Sequence, residues 1–221
     1  GFYHRMPLPV NPGSPKEVFP VSPQDSPKPF PVLVTPRLVL RSLCAEDAPA
    51  LHRVWTEPAV TEYLVLTPFS SLGETEGMMR ILTDLWPFGQ GVRWVLEEEG
   101  RVLGTCGFHN LAPEHRRAEV GYEMASEAWG RGLMSEALSA VLEFGFGTLG
   151  FHRVEAFVNR GNRRSEALLG RLGFHHDGCL RDYEFSRGGF VDQECHSLLD
   201  REWGEGRGAL LPSSLRCGSV V

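Results

Sequence analysis

The 221-residue sequence lacks any apolar run that approaches the roughly 20 residues of a membrane-spanning helix. It also lacks, at its N-terminus, the charged and then apolar order of a secretory signal. Basic residues are in the minority, and the net charge is −6. Because neutralising nucleic-acid phosphates requires a basic surface, we expect a cytoplasmic protein with neither nucleic acid nor membrane as a partner.

Cysteines are few and widely spaced. There are five, an odd number, and none of them forms a C-x-x-C motif. This pattern predicts neither a disulfide framework nor a zinc site, so we expect no metal and a reducing compartment. The five are Cys44, Cys106, Cys179, Cys195 and Cys217.

Composition and periodicity divide the chain into three parts. Residues 1–34 are rich in proline and have no regular period, which predicts an extended arm that binds a partner groove or serves as a linker or strap. Residues 35–203 alternate between strand-like and helix-like patterns and form the predicted domain. Residues 204–221 are rich in glycine and serine, and we expect a flexible tail there.

Within the domain, the patterns follow the order β-α-α-β-β-β-α-β-α-β-β. Helical spacing places Leu51, Val54 and Trp55 on one face of the first helix. This order predicts an α/β (α+β) fold: a mixed, mostly antiparallel, twisted sheet of about seven strands with a central β-α-β crossover and flanking helices.

A Gly-x-Gly turn stands inside that crossover, where "GYEM" leads toward a helix that begins near Gly132. The first amides of a helix have no intrahelical acceptor, and glycines let a phosphate approach them. Arg131, between the two glycines, can add positive charge. The pattern is not a P-loop, and a dinucleotide-binding fingerprint fails at Ser135, where glycine is required. Taken alone, the turn is compatible with a pyrophosphate site and with a simple left-handed turn.

Two longer motifs, which follow one another along the chain, bear on the choice between a pyrophosphate site and a simple turn. They are "EVGYEM…WGRGLMSEAL" and "NRRSEALLGRLGF", and the domain opens with "TPRLVLRSL". Together they resemble the GNAT superfamily of acetyl-CoA-dependent N-acetyltransferases, specifically its RimJ/RimL-like branch. The resemblance covers about residues 35–203.

The resemblance implies acetyl-CoA as the cosubstrate, with its pyrophosphate on the loop before the crossover helix. Glu127 stands where the family usually has Gln or Arg, which removes one donor. The strand from Tyr122 to Met124 is expected to pair its backbone with the pantetheine arm, and Asn162 both to contact coenzyme A and to cap a helix. The implied cofactor-binding residues are Tyr122, Glu123, Met124, Trp129, Gly130, Arg131, Gly132, Leu133, Met134 and Asn162.

The resemblance also implies the course of the reaction. The strands that flank the crossover splay apart, and a main-chain amide near Glu123 or Met124 donates to the oxyanion. Ser165 matches the serine that protonates the leaving thiolate. Leu169 stands where many relatives have a tyrosine as the acid.

The general base does not carry over, because Phe157 stands where some relatives have a glutamate. Glu119, on the strand before the crossover helix, is our choice as the catalytic base, acting directly or through water. His109 and His152 are the alternatives.

For the acceptor, we expect a primary amine, with the N-terminal α-amino group of a protein or peptide as the first choice. A polyamine or aminoglycoside is an alternative, and residues 64–94 are the expected acceptor wall. A non-catalytic acyl-CoA-binding module and a Rossmann-like dinucleotide domain are the competing classes. A homodimer is compatible with the sequence.

Overall fold

The computed structural model describes residues 29–64 and 68–204. The described residues confirm the predicted order of elements and add two short ones, β1 and α2. The strands are β1 (Leu33–Val34), β2 (Val39–Arg41), β3 (Val92–Glu98), β4 (Arg101–Ala112), β5 (Arg117–Met124), β6 (Arg153–Asn159), β7 (His175–Ser186) and β8 (Gly189–Leu199). The helices are α1 (Ala48–Thr56), α2 (Pro58–Thr61), α3 (Leu72–Asp84), α4 (Leu133–Glu143) and α5 (Arg163–Arg171).

All eight strands form one sheet in the order β1-β2-β3-β4-β5-β6-β8-β7. Neighbouring strands are antiparallel except β5 and β6, which are joined by the crossover through α4. The predicted mixed sheet with a central β-α-β crossover is therefore confirmed, with eight strands where the sequence indicated about seven.

The additional strand β1 comes from residues that the sequence analysis assigned to the N-terminal arm. Phe30 packs edge-on against Trp86 and Trp94, and the Trp94 indole donates to the Pro31 carbonyl at 2.7 Å. Residues 29–34 thus belong to the folded unit. The remainder of the arm, residues 1–28, and the tail from 205 onward lie outside the described residues.

The sheet is covered by helices on both faces. The larger part of the core lies between the sheet and helices α4 and α5, where Leu138, Leu142 and Leu169 are fully buried. A second cluster, which includes Leu51, Trp55 and Met79, places α1 and α3 on the opposite face. Because side chains alternate along a strand, successive residues of β5 face these two layers in turn.

The parallel pairing at the centre of the sheet is short. β5 and β6 pair only at Arg117–Glu119 with Arg153–Glu155. Beyond that point β5 remains paired with β4, and β6 remains paired with β8. The two strands therefore part in the middle of the sheet, as the family resemblance implies.

The described helices include none that is long and apolar enough to cross a membrane. Four cysteines, Cys44, Cys106, Cys179 and Cys195, are free thiols. Within residues 29–64 and 68–204, no group of His, Cys, Asp and Glu side chains has the arrangement of a metal site.

Candidate active site

A cleft of 2530 Å³ opens where β5 and β6 part. Its walls come from the end of β5, the turn before α4, the start of α5 and the end of β6. The cleft thus connects the α4 and α5 layer with the opposite face of the sheet. Its size suits an extended ligand together with a second molecule better than a single small compound.

The Gly-x-Gly turn lies at one end of this cleft. Gly130 and Gly132 have φ angles of 73° and 75°, in the left-handed region that favours glycine. Gly132 is the N-cap residue of α4 and makes no side-chain capping bond. The amides that follow therefore have no acceptor within the helix, and they lie at the edge of the cleft.

One residue of the predicted cradle does not contribute its amide. The Trp129 N–H donates to the Ser126 carbonyl at 3.0 Å within a 3₁₀ turn, so the row of free amides begins at Gly130. The Trp129 indole donates to the Met124 carbonyl at 2.8 Å. This bond joins the end of β5 to the turn.

The expectation that the Arg131 side chain adds charge to the cradle is wrong. Its guanidinium binds both oxygens of Glu98, at 2.9 and 2.7 Å, away from the cleft. Arg164 on α5 lines the cleft instead, and its guanidinium carbon lies 4.4 Å from the centre of the Trp129 ring. The sequence signal for this cation was the basic pair Arg163 and Arg164 at the start of a capped helix.

Residues of the opening "TPR" motif hold the start of α4. Arg37 donates to Glu136 at 2.7 Å and to the Arg131 carbonyl at 2.8 Å, and the Thr35 hydroxyl donates to Glu136 at 2.7 Å. Burial alone would raise the pKa of Glu136, but the bonds from Thr35 and Arg37 outweigh it and lower that pKa. A charged carboxylate close to the free amides is thus neutralised by Arg37.

Ser165 lies in the first turn of α5 and faces the end of β5. Its hydroxyl lies 2.5 Å from the Tyr122 hydroxyl. Asn162 caps α5 by accepting the Ser165 amide at 3.2 Å, which confirms the predicted N-cap. Leu169 is fully buried in the core.

Burial raises the pKa of the Tyr122 hydroxyl to about 12, although its hydrogen bond with Ser165 acts in the opposite direction. Tyr122 was predicted only as a backbone contact to the cofactor. No local pattern predicts that its hydroxyl meets Ser165, which is 43 residues away.

Glu119 and His109 meet on the opposite face of the sheet, and both line the cleft. His109 Nε2 lies 3.1 Å from one Glu119 oxygen, and the Asn110 amide donates to the other at 2.8 Å. Burial alone would raise the pKa of Glu119, but these two hydrogen bonds outweigh it and lower that pKa. His152, the other alternative, lies 3.2 Å from Asp200 and is not part of the cleft wall.

The Glu123 side chain is committed to a buried cluster. It binds the Arg93 guanidinium and the Thr105 hydroxyl, and it accepts the Trp55 indole at 3.0 Å. Arg93 also donates to the Gly121 carbonyl at 2.8 Å. The cluster fixes the end of β5, which leaves only the backbone of Glu123 for the predicted cofactor contact. The signal for Arg93 was a charge inside the apolar run "VRWVL".

The predicted acceptor wall is largely wrong. Of residues 64–94, only Leu64 and Arg93 line the cleft among those that the structure describes. This side is formed instead by Ala59, Val60, Glu62, Tyr63, Phe157 and Gln193, because α3 packs over α1 and not over the cleft. Phe157 stacks on Tyr183 with ring centres 5.4 Å apart.

The acetyltransferase (GNAT) domain family matches residues 37–175. The uncharacterized N-acetyltransferase p20 of Bacillus licheniformis is 40% identical over 173 residues, which are 77% of this chain and 97% of that protein. The ribosomal protein uS5-alanine N-acetyltransferase of Escherichia coli K12 is 33% identical over 111 residues, which are 50% of this chain and 57% of the relative. Among solved structures, Mycobacterium smegmatis RimJ in complex with CoA-disulfide has a TM-score of 0.69 and 25% identity, over 75% of this chain and 83% of that one.

Proposed function

The chain belongs to the GNAT acetyltransferase family, and on this basis we propose that it acetylates the N-terminal α-amino group of a protein or peptide with acetyl-CoA as the donor. The observation that carries the proposal is the cleft between β5 and β6. It has free helix amides at one end and a His–Glu pair on the opposite face. A donor and an amine can therefore meet from opposite sides of the sheet.

The residues present fit coenzyme A. The amides from Gly130 to Met134 suit its pyrophosphate, since no side chain caps α4 and a Cβ built on Gly130 meets no atom within 4 Å. Arg164 supplies a cation on the same wall of the cleft. The edge of β5 beyond Glu119 has no strand partner on the β6 side, which leaves it open to the pantetheine arm.

One of the two proton transfers takes place on each face of the sheet. Attack by the neutral amine on the thioester forms the new C–N bond and breaks the C–S bond. On the acceptor face, Glu119 accepts the proton that the nitrogen loses, directly or through water, and its hydrogen bond with His109 orients the carboxylate. On the other face, Ser165 supplies the proton that the leaving sulfur gains. Alignment in the cleft supplies much of the remaining rate enhancement.

The charges around the cleft favour an acceptor with one positive charge. Glu119 is bound to His109 and Asn110, and Glu123 is bound to Arg93. Across the described part of the cleft wall, no group of unpaired carboxylates is available to bind the several ammonium groups of a polyamine. A peptide N-terminus needs only one such contact, and the likeness to the uS5-alanine acetyltransferase points to the same class.

A panel of acceptors tests the proposal. Purified protein is incubated with acetyl-CoA and with peptides, polyamines or aminoglycosides, and thiol release and acetylated product are followed together. We expect turnover with free peptide N-termini and none with peptides whose N-termini are blocked. Turnover with polyamines alone would overturn the choice of acceptor. Binding of coenzyme A without turnover in any arm would favour a non-catalytic module.

Variants in the two proton-transfer sites serve as controls for that panel. We expect Glu119→Gln and Ser165→Ala each to lower kcat by about 10²-fold while coenzyme A still binds. Product formation that both variants leave unchanged would show that other residues carry the chemistry.

A further inference from the structure

We propose that Tyr122 and Ser165 act as one proton-donating unit, in which Ser165 protonates the leaving sulfur and Tyr122 supplies the proton that Ser165 passes on. This inference rests on the proposed function and identifies a second residue of its acid step. It gives the Tyr122 side chain a chemical role in addition to the backbone contact with the cofactor expected at that position.

The geometry places both hydroxyls where the strands have parted. Tyr122 lies three residues beyond the last β5 residue that pairs with β6, and its side chain faces the α5 layer. Ser165 faces it from the first turn of α5, and the two oxygens are 2.5 Å apart. Both residues line the cleft. No other hydroxyl pair in the described cleft wall is in such contact.

The backbone holds the two hydroxyls in place from both sides. The Asn162 cap fixes the first turn of α5, and Leu169 anchors the same helix in the core. The bond from the Trp129 indole to Met124 fixes the end of β5. Because both elements are held in this way, the pair is preorganised for a proton transfer.

The proton balance explains why the serine benefits from a phenol. If Ser165 alone gave up its proton, it would remain as an alkoxide, which is a much stronger base than a phenolate. With Tyr122 as the source, the C–S bond breaks, the sulfur takes the Ser165 proton, and Ser165 takes the Tyr122 proton. The phenolate is then reprotonated from solvent. The proton that the amine loses leaves on the other face, so the cycle is neutral overall.

The environment keeps Tyr122 protonated until it is needed. Burial raises its pKa to about 12, so the phenol is intact at neutral pH. The same burial destabilises a thiolate released beside it, which makes that sulfur a stronger base than it would be in water. The pKa of the phenol that donates the proton and the pKa of the thiol that forms are therefore both raised.

Single and double variants test whether the pair acts as a unit. We expect Tyr122→Phe to lower kcat by about 10²-fold, to leave the affinity for coenzyme A in calorimetry unchanged, and to retain the circular dichroism of the fold. The double variant with Ser165→Ala should be no slower than the slower single variant, because residues of one unit are not additive. Thr83→Val, which removes a hydroxyl on α3 that lies outside the cleft wall, is the control and should keep its rate.

The pH profile distinguishes proton donation from a structural role. Replacing Tyr122 by the much more acidic 2,3,5-trifluorotyrosine conserves its shape and should move the basic limb of kcat from near pH 12 down into the pH range in which the protein can be assayed. A role in packing alone would leave that limb where it is in the unmodified protein. An unshifted limb would overturn the proposal.

The outcomes also separate this inference from the proposed function. If the unmodified protein acetylates an amine and Tyr122→Phe keeps kcat within about twofold, the acid role of Tyr122 fails and the proposed function stands. If coenzyme A binds but no amine in the panel is acetylated, the proposed function fails and this inference falls with it.

Discussion

Glycine at positions 130 and 132 determines what the start of α4 can bind. Both residues adopt left-handed backbone angles, which a side chain with a Cβ resists. A Cβ built on Gly130 meets no protein atom within 4 Å, so the space beside it is open. At the residue scale, the cradle therefore depends on the absence of side chains.

Replacing Gly130 by valine should weaken coenzyme A binding by at least about tenfold, because the branched side chain would occupy the approach to the amides. The left-handed angle should also lower the free energy of unfolding by about 1–2 kcal/mol. Calorimetric titration measures the first effect, and denaturant unfolding measures the second.

Gly100 offers a matched control. It has a φ of 78° and an equally open surrounding, but it lies in the turn between β3 and β4. Gly100→Val should show similar destabilisation with unchanged affinity. Equal losses of affinity in the two variants would mean that backbone strain, and not obstruction of the cradle, is responsible.

At the scale of secondary-structure elements, α4 is held at its start by the short segment that leads into β2. Arg37 joins that segment to both the Gly-x-Gly turn and Glu136. The contact has an electrostatic consequence, because Glu136 would otherwise present a negative charge beside a phosphate site.

Arg37→Ala should therefore weaken coenzyme A binding several-fold by leaving Glu136 uncompensated. Adding Glu136→Gln to this variant should restore part of the affinity, because it removes the charge that repels the phosphate. The affinities of both variants for coenzyme A are measured by calorimetric titration at low and at high salt. Screening at high salt should reduce the difference in affinity between the two variants. An affinity that the second change leaves as weak as before would indicate that Arg37 acts only by shaping the turn.

A second contact between elements joins β2 to the start of α1. Arg41 binds both oxygens of Asp47 at 2.8 Å, and Asp47 is 3% exposed. Burial alone would raise the pKa of Asp47, but the bonds from Arg41 and the Cys44 amide outweigh it and lower that pKa. This stabilisation is present above the unfolded-state pKa of about 4 and is lost as the pH falls through the lower folded-state value.

Asp47→Ala should lower the free energy of unfolding at pH 7 by about 2 kcal/mol, because the Arg41 guanidinium keeps only its ion pair with Glu97 and the Cys44 amide loses its acceptor. The variant should also lose less stability than the parent between pH 5 and pH 3, since the linked carboxylate is gone. Urea unfolding at the two pH values measures both effects. Parallel losses in parent and variant would show that other carboxylates control the acid transition.

At the scale of the whole molecule, a single sheet is divided by the parting of β5 and β6. Only three residue pairs join these strands directly. The two halves are further connected by α4 and α5, which pack across the gap in one core. A ligand bound in the gap would contact both halves and stabilise the folded state by mass action.

Saturating acetyl-CoA should raise the melting temperature by several degrees, because a ligand at 100 times its Kd contributes about 2.7 kcal/mol. The same concentration of NAD should leave the melting temperature unchanged, since the turn lacks the third glycine of a dinucleotide site. Thermal-shift curves with each compound make the comparison. Stabilisation by NAD alone would support the dinucleotide-binding alternative.

The sequence by itself determined the local structure of this protein. The spacing of apolar residues along its segments predicts the β-α-β crossover. Gly130 and Gly132 predict the turn, and Asn162 predicts the cap of α5. Each of these features depends on residues that are close along the chain, so the pattern and the backbone conformation are linked directly.

Only the tertiary structure decided which side chains meet. The contacts of Tyr122 with Ser165 and of Glu119 with His109 depend on strand register and on where β5 and β6 part, and neither is encoded in a local period. The same holds for the outward turn of Arg131 toward Glu98 and for the ion pair between Glu123 and Arg93. A side chain's partner follows from packing between distant elements, whereas its conformation within an element follows from its neighbours.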